Sequence, residues 1–314
     1  MTAGSGAAGR RNRLATAGAR ATTQAMLSNQ PRGDVIRNAV FAALLLLSVL
    51  IALAGLIALL VKFLIDGSSA LSPELITNGP SAINPENAGF RPAIIGSLEL
   101  IAGVILFVVP IGVGAALYLE EYADKNRWWN RLIEVNIQNL AAVPSIIYGI
   151  LGLGLIVRGP LDLGFVLLAG SLTLALLVLP MVIIAAREAI RAVPDSIRQG
   201  SLALGATKGQ TIRRQVLPAS IPGNLTGVIL AVSRALGEAA PLLLVGATVF
   251  VTFDPTPLSS DGYTALPVQI YQYATRPQDE FQALAAAGVV LMLVVLLAMN
   301  SVAIWLRNRY EQRW

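Results

Sequence analysis

The sequence predicts an all-α polytopic membrane protein with six transmembrane helices, both termini cytoplasmic, and a cytoplasmic helix-turn-helix loop between the fourth and fifth spans. Three observations carry this. Hydrophobic residues make up 55% of the 314 and charged residues only 13%, a balance outside the soluble globular range. The apolar residues gather in runs long enough to cross roughly 30 Å of hydrocarbon. The basic residues cluster beside alternate ends of those runs, which sets the orientation.

Residues 1–38 form a basic tail. Arg10, Arg11, Arg13, Arg20 and Arg32 stand among many Ala, Gly, Ser and Thr, a composition that cannot bury a core and reads as disordered. The same acid-poor, Arg-rich composition fits an organelle transit peptide, but its periodic amphipathicity is weak. The first span, 39–61, carries no charge and is too long for a cleaved signal segment. Residues 62–92, rich in Pro, Asn, Ser and Gly, read as an external loop.

Residues 93–306 supply five further spans. The second, about 93–119, holds Glu99 near its outer end and Pro110 inside it. A charged corner follows, with Glu120, Glu121, Asp124, Lys125 and Arg127, and then Trp128 and Trp129, a pair suited to headgroup depth. The third span, about 132–157, opens on the polar residues 136–139 and contains Pro144 and three glycines. The fourth covers about 163–186, the fifth about 224–251 and the sixth about 283–306. Between the last two, 253–281 reads as a second Pro-rich external loop, and 307–314 as a basic cytoplasmic tail.

Arginine and lysine counts orient the bundle. Six lie before the first span, three in the corner, six in the loop 187–218 and three at the tail. Lys62, Arg91, Arg158 and Arg276 lie on the opposite side, against an excess of acids, so the first group faces the cytoplasm. The net charge of +5 is explained by this bias, and nucleic-acid binding is not expected. Cysteine and histidine are absent, which excludes disulfides, Cys/His zinc sites and catalysis by a histidine base or cysteine nucleophile. No metal site and no catalytic residue is expected.

The loop 187–218 is too charged to cross a bilayer, yet Leu202 and Leu204 are apolar. Residues 200–207 read GSLALGAT, one residue short of a phosphate-binding loop, but Ala206 stands where its lysine belongs and no buried strand precedes it, so nucleotide binding is rejected. Gly205 suits the end of one short helix and a turn into the next, and exposed leucines there predict a protein partner. The plainer alternative is an amphipathic loop lying on lipid. Pro218 marks re-entry into the membrane.

Within the fifth span, Arg234 and Glu238 stand at i and i+4, on one helix face about halfway across. Such a guanidinium could offer a bidentate site to an oxyanion, or the pair could act as a gate or as helix glue. Glu99 could reach water by snorkelling or line a pathway. Prolines 110, 144, 180 and 241 interrupt four spans, predicting kinked helices around a cavity.

Taken together, the loop ALGATKGQTIRRQVLPASIPG, the following SRALGEAAPLLLVGA, LYLEEYA at 117–123, NLAAVPSIIYGILGL at 139–153 and ALPVQIYQYATRPQDEF at 265–281 resemble permease subunits of ABC-type importers, and more narrowly the phosphate permeases of the PstA type. The resemblance runs from about Phe90 to the C-terminus. In the family the loop begins Glu-Ala-Ala; here Gln199, Gly200 and Ser201 occupy that triplet, while Gly205, Leu217 and Pro218 match and Gln215 replaces an isoleucine.

The resemblance implies a bacterial inner-membrane permease in which Ser201, Leu202, Leu204, Gly205, Ala206, Thr207, Leu217 and Pro218 couple to an ATPase. It implies a PstC-like second permease, a homodimeric ATPase that binds ATP and Mg, an extracytoplasmic phosphate-binding protein, and phosphate as substrate, with no cofactor on this chain. Arg234 and Glu238 would lie on the substrate pathway. Competing readings are a permease for sulfate or molybdate, an ATP-independent secondary transporter, and a membrane scaffold.

Overall fold

The computed structural model describes residues 32–124, 126–247, 251–257 and 262–310. They form helices without a strand; an isolated bridge pairs Ala247 with Tyr263. Five helices have the length and hydropathy to cross a membrane: 36–67, 91–122, 167–191, 208–237 and 279–309. A sixth crossing is present only as a bent pair.

Helix α1 (Arg32–Gly67) runs for 36 residues and overshoots the expected 39–61 at both ends. No proline falls between Pro31 and Pro73, so nothing stops the helix at the edges of its apolar run. Residues 32–38, expected to be disordered, are therefore helical; the rest of the basic tail, like residues 311–314, lies outside the described residues. The leucines of α1 from Leu44 to Leu64 are exposed, apart from the half-buried Leu60.

A second unit begins at Phe63. After the short α2 (Glu74–Thr77), α3 (Arg91–Leu117) continues into a π-turn, Tyr118–Tyr122. Helix α6 (Leu167–Arg191) is its centre, packed against both α3 and α9 (Leu217–Gly237). Leu100, Val104 and Val108 of α3 meet Leu174, Val178 and Val182 of α6 and Ala231 and Ala235 of α9 in one buried cluster. Small residues set the spacing: a Cβ on Gly227 would lie 2.4 Å from the Ala185 methyl and one on Gly223 2.5 Å from that of Ala189, a close backbone approach of the kind that packs membrane helices.

The third span departs from expectation. Helix α4 (Trp128–Ala141) and the segment Ser145–Val157, made of α5 (Ser145–Gly152) and a π-turn, meet at 105°. Val143 precedes Pro144 and is disfavoured from helical backbone, and Pro144 itself is extended at ψ 138. The polar residues 136–139 end an amphipathic arm that buries only Asn130 and Ile137. They do not open a straight span.

The fifth span is also shifted. Its helix begins at α8 (Lys208–Thr211), passes through a π-turn (Ile212–Val216) and runs to Gly237 instead of covering 224–251. Pro218 therefore lies within this continuous helix, just past the π-turn. After Gly237 the chain is extended at Glu238 and resumes as α10 (Ala240–Leu244).

Within 253–281, residues 263–269 are core and not exposed loop. Tyr263, Thr264, Ala265, Leu266, Val268 and Gln269 have at most 1% exposure, and α11 (Leu266–Ala274) packs against α12 (Asp279–Tyr310) and α3. The Leu266 N–H donates to the Ser97 hydroxyl at 2.8 Å, supplying one of the acceptors that a buried helix start requires. A Cβ on Gly96 would lie 2.2 Å from the Thr264 carbonyl oxygen, so only glycine admits this segment. The preceding stretch 62–92 also contributes: Phe90 is fully buried and meets the Tyr273 ring edge-on at 5.3 Å. Burial raises the Tyr263 and Tyr273 phenols above their ordinary ionisation range.

Candidate functional site

Two sites merit description, one at the end of the bundle where α6 stops and one where α9 stops. At the first, α7 (Asp195–Ala203) follows α6 after three residues and ends on Leu204. Gly205 takes φ +83, a left-handed conformation that other residues adopt only under strain. Thr207 then caps α8: its side chain accepts from the Gln210 N–H at 3.3 Å, and the Gln210 side chain accepts from the Thr207 N–H at 2.9 Å. This reciprocal cap fixes the start of the second helix.

The two short helices enclose a groove of about 400 Å³ lined by Ser196, Ile197, Gly200, Ser201, Leu204, Ala206, Gln210, Arg214 and Gln215. Leu204 is 90% exposed beside it and Leu202 is half exposed. Of the sequence-predicted residues, Ser201, Leu204 and Ala206 line this groove, and Leu202, Gly205 and Thr207 are exposed beside them in the chain. Leu217 and Pro218 do not; they belong to α9, beyond the π-turn. The Ser201 and Thr211 hydroxyls share a hydrogen bond at 2.9 Å, tying α7 to α8.

Sequence reasoning did not pair the charges at this end. Arg187 donates to Glu134 at 2.8 Å and lies 3.7 Å from Glu120. Arg191 donates to both Glu120 oxygens, at 3.2 and 3.1 Å. Arg198 donates from Nε to Glu121 Oε1 at 3.1 Å, and its Nη2 lies 3.0 Å from the same oxygen. The acids come from the corner after α3 and from α4, the bases from α6 and α7. Their adjacency in sequence within EE was visible, but partners some 70 residues away are chosen by packing.

At the second site, Arg234 Nε lies 3.5 Å from Glu238 Oε1. The pair was predicted on one continuous helix; instead Glu238 is the first residue past the end of α9, at ψ 112. Pro241 has no N–H to donate to the Gly237 carbonyl four residues back, and its ring would clash there, so α9 cannot run on unbroken. The Arg234 side chain is 41% exposed and that of Glu238 19%, so the contact is worth at most about 1 kcal/mol. Among the described residues, the two terminal guanidinium nitrogens of Arg234 have no hydrogen-bond partner.

Glu99 stands apart. It lies in the third turn of α3, and its Oε2 is sealed from solvent without a hydrogen bond, so that oxygen does not snorkel to water. No ion pair or hydrogen bond joins it to Arg234 or Glu238 among the described residues. No cluster of three or more metal-ligating side chains occurs among them either.

Residues 108–314 match the family described as binding-protein-dependent transport system inner membrane component. The chain belongs to this permease family. The permease is 36% identical over 219 residues to the phosphate transport system permease protein PstA of Yersinia pestis, covering 69% of this chain and 72% of that one. It is 32% identical over 231 residues to the probable ABC transporter permease protein YqgI of Bacillus subtilis, covering 70% and 78%. It is 34% identical over 218 residues to PstA 1 of Mycobacterium tuberculosis H37Rv, covering 68% of each.

In fold, the permease resembles a chain of a bacterial alginate ABC transporter solved with its periplasmic protein, with TM-score 0.65 and 16% identity over 88% of this chain and 96% of that one. The family match and the curated relatives make it a multi-pass inner-membrane permease subunit of the PstA type.

Proposed function

We propose that this permease imports inorganic phosphate, driven by ATP hydrolysis on a separate homodimeric ATPase. A PstC-like second permease completes the pathway, and an extracytoplasmic phosphate-binding protein delivers substrate. ATP and Mg are bound by the ATPase and no cofactor by this chain. The loop 187–218 faces the cytoplasm, where its groove and the exposed Leu204 receive the ATPase.

The open edge of Arg234 is the observation that carries the substrate class. Glu238 engages only Nε, and loosely, so the paired terminal nitrogens that bind oxyanions bidentately remain available. A weak contact suits transport: the anion is stabilised in passing, and Glu238 recovers the guanidinium on release. The ATPase must grip the loop differently in its two states, since a partner that binds both equally shifts neither.

Uptake of labelled phosphate into vesicles holding the complete complex tests this reading, with sulfate and molybdate as competitors. ATP-dependent uptake that is competed by phosphate alone and lost in Arg234→Gln is the expected result. Wild-type uptake by Arg234→Gln would remove the charged pair from the pathway, and competition by sulfate or molybdate would assign another oxyanion.

A further inference from the structure

The two-helix element 195–211 is joined to the rest of the chain through its own ends, to α6 on one side and α9 on the other. It also grips a third place. Arg198 of α7 reaches Glu121 with two nitrogens, at 3.0 and 3.1 Å, while its remaining donors take the Ile190 carbonyl at 2.8 Å, the Val193 carbonyl, and Asp195 at 3.1 Å. Lys208 of α8 places its ammonium 5.2 Å from the centre of the Tyr122 ring. Both helices of the element therefore hold adjacent residues of a single π-turn, the one that ends α3.

A body attached at two points can swing about the line between them. A third attachment removes that freedom, so any displacement of 195–211 must move the end of α3 as well. The contact is enclosed, with side-chain exposure of 18% for Arg198 and 10% for Glu121. Ion pairs so enclosed give little net stability over apolar replacements, so stability alone does not account for its presence. π-turns can rewind by one residue, and they concentrate at functional sites.

We propose that Arg198 and Glu121, braced by Lys208 on Tyr122, are positioning residues that impose the movement of the ATPase-facing element on α3. The proposal rests on the reading of the chain as an ATP-driven permease. Without the contact, the ATPase still docks and hydrolyses, but the spanning helices follow incompletely and transport per ATP falls.

The test uses the complete complex in proteoliposomes, with phosphate uptake and ATP hydrolysis measured on the same preparation. Glu121→Gln and Arg198→Gln are compared with the conservative Arg198→Lys, which keeps the charge, and retention of the ATPase is checked by gel filtration. In each glutamine variant, uptake per ATP is expected to fall about fivefold or more with the ATPase retained, and to recover largely in Arg198→Lys.

Glutamine variants at the wild-type ratio would overturn the proposal. So would a parallel fall of uptake and hydrolysis with loss of the ATPase, which would make the contact a support for the docking groove, or an Arg198→Lys variant no better than Arg198→Gln. An unaltered complex that takes up no phosphate on ATP would instead sink the transport function itself, and that result is read before any variant.

Discussion

Arg187 and Glu134 meet at 2.8 Å, joining the base of the central helix α6 to the amphipathic arm α4. The Arg187 side chain is only 10% exposed and also faces Glu120, itself 7% exposed. The arm has few other anchors, since it buries only Asn130 and Ile137. Its position along the bundle depends on this charge.

Replacing Arg187 by alanine should therefore destabilise the permease by about 3 kcal/mol, since it takes one of two arginines from the buried Glu120 and leaves a cavity where the side chain packs. Arg187→Met, which loses the same charge contacts but keeps most of the volume, should cost less. Thermal unfolding of the detergent-solubilised protein checks both. Equal midpoints for the alanine variant and wild type would show that the arm is held by other means.

The entry of residues 263–269 into the core depends on Gly96. Gly96→Ala would drive a methyl into the Thr264 carbonyl, and an overpacking cost of about 2 kcal/mol or more is expected. Gly114→Ala, on the same helix with nothing within 4 Å of the added carbon, should be neutral or slightly stabilising. The yield of folded protein and the unfolding midpoint separate the two.

The turn at Gly205 is strained for any other residue by φ alone, because its surroundings are open. Gly205→Ala should cost about 1–2 kcal/mol and weaken retention of the ATPase, whereas Gly209→Ala, equally open and without a positive φ, should do neither. Leu204→Glu should leave stability unchanged, since the side chain is already 90% exposed, yet release the ATPase on purification.

Alkaline pH supplies a fourth prediction. Burial raises the Tyr263 phenol above its ordinary value of about 10. The fold thus favours the protonated form, so this contribution is complete below about pH 10 and is lost as pH rises beyond it. Tyr263→Phe should lose about 1 kcal/mol near neutrality, from the hydrogen bond to the Val245 carbonyl at 3.3 Å. Its alkaline loss should be shallower by up to about 1.4 kcal/mol per pH unit. Denaturant titrations at pH 8 and above would show this, and parallel curves for the two proteins would contradict it.

The spanning helices were legible because an uncharged apolar run has one use, and α3, α6 and α12 lie close to where hydropathy put them. Gly205 was legible because a glycine between two short amphipathic pieces has few other purposes. A kink at Pro144 was read, but not a 105° turn that splits the span, although the proline beside polar residues 136–139 was the signal for it. The burial of 263–269 was hidden by composition: a stretch rich in Pro, Thr and Gln reads as a loop until Gly96 and Ser97 are seen to make room for it. Arg234 and Glu238 were found by spacing, but the helix end between them was not, since spacing assumes a continuous helix. The partners of Glu120 and Glu121 had no local signal at all.

The close approach of α9 to α6 at Gly223 and Gly227 also limits how the permease can move. Two helices touching at methyl distance along successive turns cannot slip past one another without climbing over those contacts, so shear between them is blocked. Bending is left to the places without regular helix, among them the turn at Pro144 and the break at Glu238. Substitutions that loosen the packed blocks should harm the permease differently from those that stiffen these breaks.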